Sequence, residues 1–190
     1  QWRIDNQVDT ILQDYTPPEL IRVYTPGAVL QDYTQDGDPI YCERIGSADS
    51  PEMIRRFGED HLVKHAIWIR ELISNGEWVQ DYEQRMGRPV KQIVVVEDLA
   101  GLSYSHLDRH VLQAFQKITR LDQDNYPEAA EHLINVNAPF ILRMAWSMVR
   151  HFFDPNVEAK IVFASPSQTK AVLKKYIGDL SVLPWTRPCA

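Results

Sequence analysis

The sequence predicts an α/β domain built around a parallel sheet. Its second half alternates strand-like and helix-like segments in the order strand, helix, strand, helix, strand, which gives two crossover units. The first of these strands contains four consecutive apolar residues, Ile93–Val96, a pattern typical of a strand buried on both faces. At 190 residues the chain suits one compact domain.

Turn-forming and capping residues predict the elements that precede this strand. Prolines interrupt or start helices, glycines end them, and an Asp-Gly pair between strand-like runs forms a tight turn. The predicted elements are two short helices within residues 1–25 broken at Pro17–Pro18, a hairpin turning at Asp36–Gly37, a short helix from Ser50–Pro51 to Gly58, and a long helix from Glu59 to Met86.

The same signals predict the elements that follow the strand. A helix should begin at Ser105, which forms a capping-box pattern with Asp108. Pro127 is typical of a first helical turn, so a helix start is predicted there as well. The remaining elements are a strand at HLINVNA, a strand from Lys160, and a helix opened by Ser165–Pro166 and closed by Gly178.

Composition and charge exclude several classes of protein. There are only two cysteines, no signal peptide and no run of about 18 apolar residues, so we expect a cytoplasmic protein. The net charge of −6 argues against a nucleic-acid partner. Residues 139–175 nevertheless hold six Lys/Arg against two acids, a local charge of +4. This favours contact with an anionic membrane surface, although a solvated basic helix explains it equally well.

The helix predicted from Phe140 to Phe153 is unusually apolar. Apart from one polar stripe, apolar side chains cover most of its circumference. A core helix is the ordinary explanation, and the alternative is a lid whose inner side faces a cavity and whose edges touch a membrane. Asp154–Pro155 would end such a lid at a hinge. The polar stripe consists of Arg143, Ser147, Arg150 and His151.

No metal or catalytic motif is complete. His106 and His110 have metal-ligand spacing on a helix, but the zinc-protease pattern needs Glu where Leu107 stands. Ser103 follows a buried strand, as a hydrolase nucleophile does, yet the glycine that ends that motif is replaced by Ser105. We therefore predict neither an enzyme, a cofactor nor a metal site, and keep a serine hydrolase at Ser103 as a distant alternative.

Five segments in this order make the chain resemble the CRAL-TRIO lipid-transfer family, which includes Sec-fourteen-like phosphatidylinositol exchange proteins and tocopherol-associated proteins. The resemblance covers about residues 1 to 180. It implies a mixed, largely parallel sheet that floors a hydrophobic pocket, closed by a mobile gate helix at about 139–153. It also implies a helical-module tail at 1–20, a lipid-binding domain at 21–180 and an atypical tail at 181–190. The segments are DTILQDYTPPELI, DGDPIYCERIG, DLAGLS, NYPEAAEHLINVNAPF and HFFDPNVEAKIVFAS.

The resemblance assigns roles that the residues alone do not suggest. In isolation, Glu128 reads as a favourable charge at a helix N-terminus and Lys160 as an ordinary exposed lysine. In phosphoinositide-binding members, the matching residues hold the inositol-phosphate headgroup. The implied pocket residues are Tyr41, Ile93, Val95, Phe140, Met144 and Met148, and the implied gate and hinge residues are Pro139, Phe153, Asp154 and Pro155.

Departures from the family pattern bear on the cargo. Val157 replaces a threonine that helps to hold the headgroup, and Ile93 and Val95 replace the hydroxyl residues of a choline-lipid site. Leu30 replaces one of its two tyrosines, while Tyr41 is kept. These changes favour an apolar ligand, such as a tocopherol-like or isoprenoid molecule, beside the phosphatidylinositol that Glu128 and Lys160 suggest.

The expected function is lipid binding and transfer between membranes by a monomer that visits membrane surfaces. The expected partners are membrane lipids and the flanking N-terminal helical module. The alternative is a lipid-responsive sensor or scaffold that holds its cargo without net delivery.

Overall fold

The computed structural model describes residues 1–18 and 27–178, with the backbone alone for residues 27–32 and 143. A five-stranded sheet with its strands in sequence order forms its centre. The first pair is antiparallel and the next three pairs are parallel, so the predicted mixed, largely parallel α/β architecture is confirmed. The strands are β1 (Gly27–Tyr33), β2 (Pro39–Glu43), β3 (Ile93–Asp98), β4 (Ala130–Val136) and β5 (Ile161–Phe163).

Helices connect the parallel strands. The crossover from β2 to β3, formed by the three helices between residues 50 and 86, was not predicted because β2 was assigned only to the hairpin. The helices are α1 (Trp2–Asp5), α2 (Ile11–Asp14), α3 (Ser50–Phe57), α4 (Glu59–Asn75), α5 (Trp78–Met86), α6 (Arg109–Asn125), α7 (Leu142–Val149), α8 (Pro155–Glu158) and α9 (Pro166–Tyr176). The short 3-10 turn Arg150–Phe152 continues α7.

Three of the helix predictions are wrong. The long helix divides at Gly76, whose extended backbone separates α4 from α5. The capping box forms at Ser103 and His106, while Asp108 caps α6 by accepting a hydrogen bond from the His110 backbone. No helix starts at Pro127, because the chain enters β4 three residues later.

Strand alternation divides the sheet into two faces. On the first face, β2, β3 and β4 pack against Leu173 of α9 and against Ile177, which follows this helix. On the second face, Tyr41 and Ile93 pack against Ile69 of α4. The buried strand residues of the first face are Ile40, Cys42, Val94, Val96, Ile134 and Val136.

The N-terminal residues pack on the helices of the second face. Val8, Ile11 and Tyr15 form a buried cluster with Ile67 of α4 and Leu121 of α6. The second helix predicted within residues 1–25, the Leu30 side chain and the predicted tail at 181–190 lie outside the described residues.

Truncating a buried side chain on the first face should destabilise the protein more than truncating an exposed one. Ile134 is 0% exposed at the centre of β4, so Ile134→Val should lower the free energy of unfolding by about 0.5–1.5 kcal/mol. Urea denaturation would measure this change, with Ile4→Val as the control because Ile4 is 71% exposed. Equal effects in the two variants would contradict the assignment of Ile134 to the core.

Candidate functional site

The structure brings Glu128 and Lys160 together at one edge of the sheet. Lys160 Nζ lies 2.6 Å from Glu128 Oε2 and 3.0 Å from the Ala130 carbonyl oxygen, which accepts its second hydrogen bond. The Lys160 side chain is 24% exposed and that of Glu128 is 71% exposed. The lysine is thus held in place while the carboxylate faces outward, and both can reach a ligand at this edge. Their role in binding a headgroup stays a prediction.

Glu128 is placed by backbone conformation rather than by a helix. Its φ of +62° lies in the left-handed region, which non-glycine residues rarely adopt. Gln92 Nε2 donates a hydrogen bond to the Glu128 carbonyl oxygen at 3.0 Å and fixes this turn. The interpretation of Glu128 as a helix N-terminal charge is therefore wrong, because the turn leads directly into β4.

The gate segment, residues 139–153, lies over the second face of the sheet at β5. The Trp146 ring contacts the rings of Phe153 and Phe163 at centroid distances of 5.5 and 5.0 Å. Phe115 of α6 contacts Phe153 at 6.0 Å. These aromatic rings, together with the buried Ala145, hold the inner side of the gate against β5 and α6.

The outer side of the gate segment is apolar as well. Phe140 is 82% exposed, Met144 48% and Met148 40%. Met144 and Met148 are four residues apart on α7, and Phe140 precedes this helix. They were predicted to line the pocket, but in this conformation Phe140 and Met144 face outward, while Ala145 and Trp146 take the inward positions. Pro139 and Phe153–Pro155 flank this helix and its 3-10 continuation, and their role as the ends of a gate stays a prediction.

An open groove of about 310 Å³ lies between α6 and the C-terminal half of the gate segment. This volume is at the lower end of the range typical of small-molecule sites, about 300–1,000 Å³. Met148 is the predicted pocket residue that lines it. The lining consists of Leu107, Arg109, Leu112, Gln113, Gln116, Met148 and Phe152.

The predicted floor residues are closed off by packing. Tyr41 and Ile93 are 4% and 3% exposed against Ile69, and Val95 is half-buried beside them. Contact between a lipid and this part of the floor therefore requires α4 side chains to move.

Sequence reasoning missed a polar row on the same face. Glu43, Glu97, Asn135 and Phe163 are successive register partners across β2, β3, β4 and β5, so they lie side by side and lead to the gate. The two-residue spacing of Glu43 from Tyr41 and of Glu97 from Val95 was visible in the sequence. Their adjacency was not, because it depends on the parallel pairing of β2 with β3.

Burial perturbs the two carboxyl groups of this row. It raises the pKa of Glu43 to about 6, and burial with the neighbouring Glu43 charge raises the pKa of Glu97 to about 7. Arg70 of α4 opposes both shifts, but its guanidinium already donates two hydrogen bonds to Asp122 of α6, at 2.8 and 2.7 Å. Near neutral pH the Glu97 carboxyl group is therefore partly protonated and can donate a hydrogen bond, whereas Glu43 is mostly ionised.

The basic residues of segment 139–175 do not form one face beside the gate. Arg150 Nη2 lies 3.4 Å from Glu158 Oε1, and Lys160 forms an ion pair with Glu128. The others with described side chains are on α9, which packs on the opposite face of the sheet. The spacing along the chain hid this separation because consecutive helices cover different faces. The basic residues on α9 are Lys170, Lys174 and Lys175.

Ser103 lacks the geometry of an activated nucleophile. Its Oγ lies 3.2 Å from His106 Nδ1, but that nitrogen also accepts a hydrogen bond from the Ser103 backbone N–H at 3.1 Å. The extended backbone of Ser103, with φ −135° and ψ 177°, differs from the strained turn of a nucleophile elbow. The contact is a helix cap, and a hydrolase receives no support from it.

Two histidines of α4 have structural roles. His61 Nε2 lies 3.1 Å from the Tyr15 hydroxyl, and the His65 ring stacks on Trp68. Within the described residues, 1–18 and 27–178, no group of three or more His, Cys, Asp or Glu side chains could hold a metal ion. In the same ranges, no helix combines the length and apolarity that crossing a bilayer requires.

The described residues form a mixed, largely parallel α/β sheet with helices on both faces, and the segment 139–153 covers part of the second face. The CRAL/TRIO domain family matches residues 26–183, and the chain belongs to this family. Proteins of this family bind or transfer lipids and are not in general enzymes.

Relatives share the domain but are much longer. Protein real-time of Anopheles gambiae is 32% identical over 86% of this chain, which corresponds to 23% of the relative. Protein real-time of Drosophila melanogaster is 29% identical over 97% of this chain and 28% of its own length. A CRAL-TRIO domain-containing protein of Caenorhabditis elegans is 32% identical over 94% and 25%. The chain thus spans about a quarter of the curated relatives it matches.

A solved structure supports the fold. The crystal structure of Sfh5 superimposes with a TM-score of 0.71 and 16% sequence identity, covering 92% of this chain and 59% of that one. At this identity the likeness shows the shared architecture alone.

Proposed function

We propose that the domain takes up a lipid between the second face of the sheet and the gate segment and transfers it between membranes. The observation that carries this proposal is a gate that is apolar on both sides: Trp146 and Ala145 face the protein, and Phe140 and Met144 face outward. A covering element of this kind can contact a membrane and a lipid chain in turn.

The physical need for such a gate follows from the cost of exposing lipid chains to water. Each methylene group costs about 0.8 kcal/mol, so two chains of roughly sixteen carbons cost about 25 kcal/mol. A protein that contacts the bilayer before the lipid leaves it removes most of this barrier. No covalent bond changes, so the activity requires no catalytic residue.

The cargo we propose is a phosphoinositide held by Glu128 and Lys160. A lysine supplies charge to a phosphate, and a carboxylate accepts hydrogen bonds from inositol hydroxyls. An apolar tocopherol-like or isoprenoid ligand is the second candidate, since Ile93 and Val95 stand where a choline-lipid site has hydroxyl residues. Mass spectrometry of lipids that co-purify with the protein distinguishes the two.

Transfer between donor and acceptor vesicles tests the proposed function. Movement of a fluorescent lipid at a rate proportional to protein concentration is expected. Binding without movement indicates the sensor or scaffold alternative, and the absence of both contradicts lipid handling. The protein is expected to act as a monomer on cytoplasmic membrane surfaces, with the flanking N-terminal module in place.

The headgroup assignment predicts a selective loss. Lys160→Ala should weaken phosphatidylinositol loading at least about tenfold, because a charge-assisted hydrogen bond to phosphate contributes about 1.5–3 kcal/mol. Equilibrium loading from phosphatidylinositol and tocopherol vesicles would be compared, and tocopherol loading should stay unchanged.

Lys117→Ala is the matched control for Lys160. Lys117 Nζ also lies 2.6 Å from a carboxylate, Glu59 Oε2, but on the outside of α6. Glu128→Ala should act in the same direction as Lys160→Ala. Unchanged phosphatidylinositol loading in both variants would contradict the headgroup site.

A further inference from the structure

The two ends of the gate segment are held in different ways. At the N-terminal end, the Asn137 backbone N–H donates to Thr169 Oγ1 of α9 at 2.9 Å. Its side-chain Nδ2 donates to Asp98 Oδ1 at the end of β3, also at 2.9 Å. The Ala138 N–H donates to the Ala164 carbonyl oxygen just after β5 at 2.9 Å. Three separate elements therefore fix this end.

The N-terminal end of the gate segment is difficult to move because its hydrogen bonds involve a buried carboxylate and a residue with a left-handed backbone conformation. Asp98 is 5% exposed and also accepts a hydrogen bond from the Ala100 backbone N–H. Asn137 has a φ of +53°, a left-handed conformation that Asn adopts more readily than most residues. Moving this end would leave buried polar groups without partners, which is costly.

At the C-terminal end, one side chain makes the corresponding contacts. Gln123 of α6 donates from Nε2 to the Phe152 carbonyl oxygen at 2.9 Å, and its Oε1 accepts a hydrogen bond from the Asp154 backbone N–H. The side-chain amide thereby pairs with the backbone on both sides of Phe153. Within residues 1–18 and 27–178, no other side chain outside the gate and α8 hydrogen-bonds the backbone of residues 150–155.

The remaining contacts at this end are easier to rearrange. Phe115 touches Phe152 and Phe153 through ring contacts, which are not directional. The groove between α6 and the gate already separates them at Met148 and Phe152. The C-terminal end is also close in sequence to Lys160 of the Glu128–Lys160 pair, because only α8 and Ala159 separate Asp154 from Lys160.

We propose that Gln123 is the latch of the gate, and that the gate opens at its C-terminal end while it pivots about Asn137. Gln123 is thus a positioning residue for lipid exchange, and opening exposes the floor directly beside Glu128 and Lys160. This inference rests on the proposed function for its purpose, but the opening itself is measurable without lipid.

Hydrogen exchange of the backbone amides tests the latch. Gln123→Leu keeps a similar side-chain volume and removes both hydrogen bonds, so exchange at residues 150–154 should become about tenfold faster. Exchange at residues 137–141 should stay within twofold of the native protein. Gln116→Leu is the control, because Gln116 lies on the same side of α6 and lines the groove without bonding to the gate backbone.

Two further variants keep the proposal falsifiable if Gln123→Leu folds poorly. Gln123→Glu keeps the acceptor for Asp154 and loses the donor to Phe152, so about a threefold acceleration is expected. Asn137→Gly should accelerate exchange at residues 137–141 and not at 150–154. Unchanged exchange at 150–154 in both Gln123 variants, or equal acceleration at both ends, would overturn the latch.

Lipid transfer then separates the latch from the proposed function. With phosphatidylinositol vesicles, Gln123→Leu should increase the transfer rate severalfold at unchanged loading stoichiometry. If amide exchange is faster in Gln123→Leu but neither the variant nor the native protein transfers lipid, the latch is retained and the proposed transfer function is contradicted. If amide exchange is faster but the lipid transfer rate is unaltered, lipids do not enter and leave at the C-terminal end of the gate segment.

Discussion

Replacing Glu97 by Gln should stabilise the protein at pH 8 and leave its stability nearly unchanged at pH 4.5. Burial is the main cause that raises the Glu97 pKa to about 7, whereas the unfolded chain keeps the ordinary value of 4.5. The folded protein therefore binds more protons than the unfolded chain between these pH values. Its free energy of unfolding must fall as pH rises through this range.

The size of the effect follows from the shift. One pKa unit corresponds to about 1.4 kcal/mol, so ionising Glu97 costs the folded state up to about 3 kcal/mol, somewhat less where its half-buried side chain meets water. Gln has the same shape and cannot ionise. Urea denaturation at pH 4.5, 6 and 8 measures the difference between Glu97→Gln and the native protein.

The groups that face Glu97 determine the controls. Glu43 on β2 and Asp122 on α6 raise its pKa, and Arg70 on α4 lowers it. Glu43→Gln should thus lower the Glu97 pKa, which carboxyl carbon chemical shifts would follow. Glu83→Gln, exposed on α5, removes a negative charge away from the floor. A gain at pH 8 that is equal for Glu83→Gln and Glu97→Gln would contradict a buried carboxyl group.

Local patterns were sufficient to predict the framework of the fold. The apolar run at Ile93–Val96 and the Asp36–Gly37 turn gave β3 and the hairpin, because both depend on neighbouring residues. Gly37 has a φ of +82°, as a tight turn requires. By contrast, the pairing of β2 with β3 links residues some fifty positions apart, and no local pattern encodes it.

The candidate site also has parts that could be predicted from the sequence and parts that could not. The resemblance placed Glu128 and Lys160 at one site, and the structure brings them within hydrogen-bonding distance. Sequence periodicity could not show which side of the gate faces inward, since Phe140 and Trp146 are equally apolar. It also could not identify Gln123, because an amide that bonds two backbone groups of a distant segment has no sequence signature.

Replacing Phe140 and Met144 together by Asp should weaken binding to phosphatidylcholine vesicles at least about a hundredfold. Each large apolar side chain contributes about 1.5–3 kcal/mol when it moves from water into the bilayer, and every 1.4 kcal/mol is a tenfold change in affinity. Because both side chains are exposed, the free energy of unfolding should change little. Vesicle co-sedimentation measures the affinity.

The composition of the vesicles decides between apolar and electrostatic docking. The exposed lysines of α9 lie on the opposite face of the sheet, and Lys160 and Arg150 are already paired with acids. Affinity for neutral vesicles should therefore approach that for anionic ones and depend weakly on salt. Ile4→Asp is the control, since Ile4 is 71% exposed and belongs to α1 rather than to the gate segment. If salt abolished binding while the double variant bound normally, the membrane contact would lie on a charged surface, and the gate would open toward water rather than toward the bilayer.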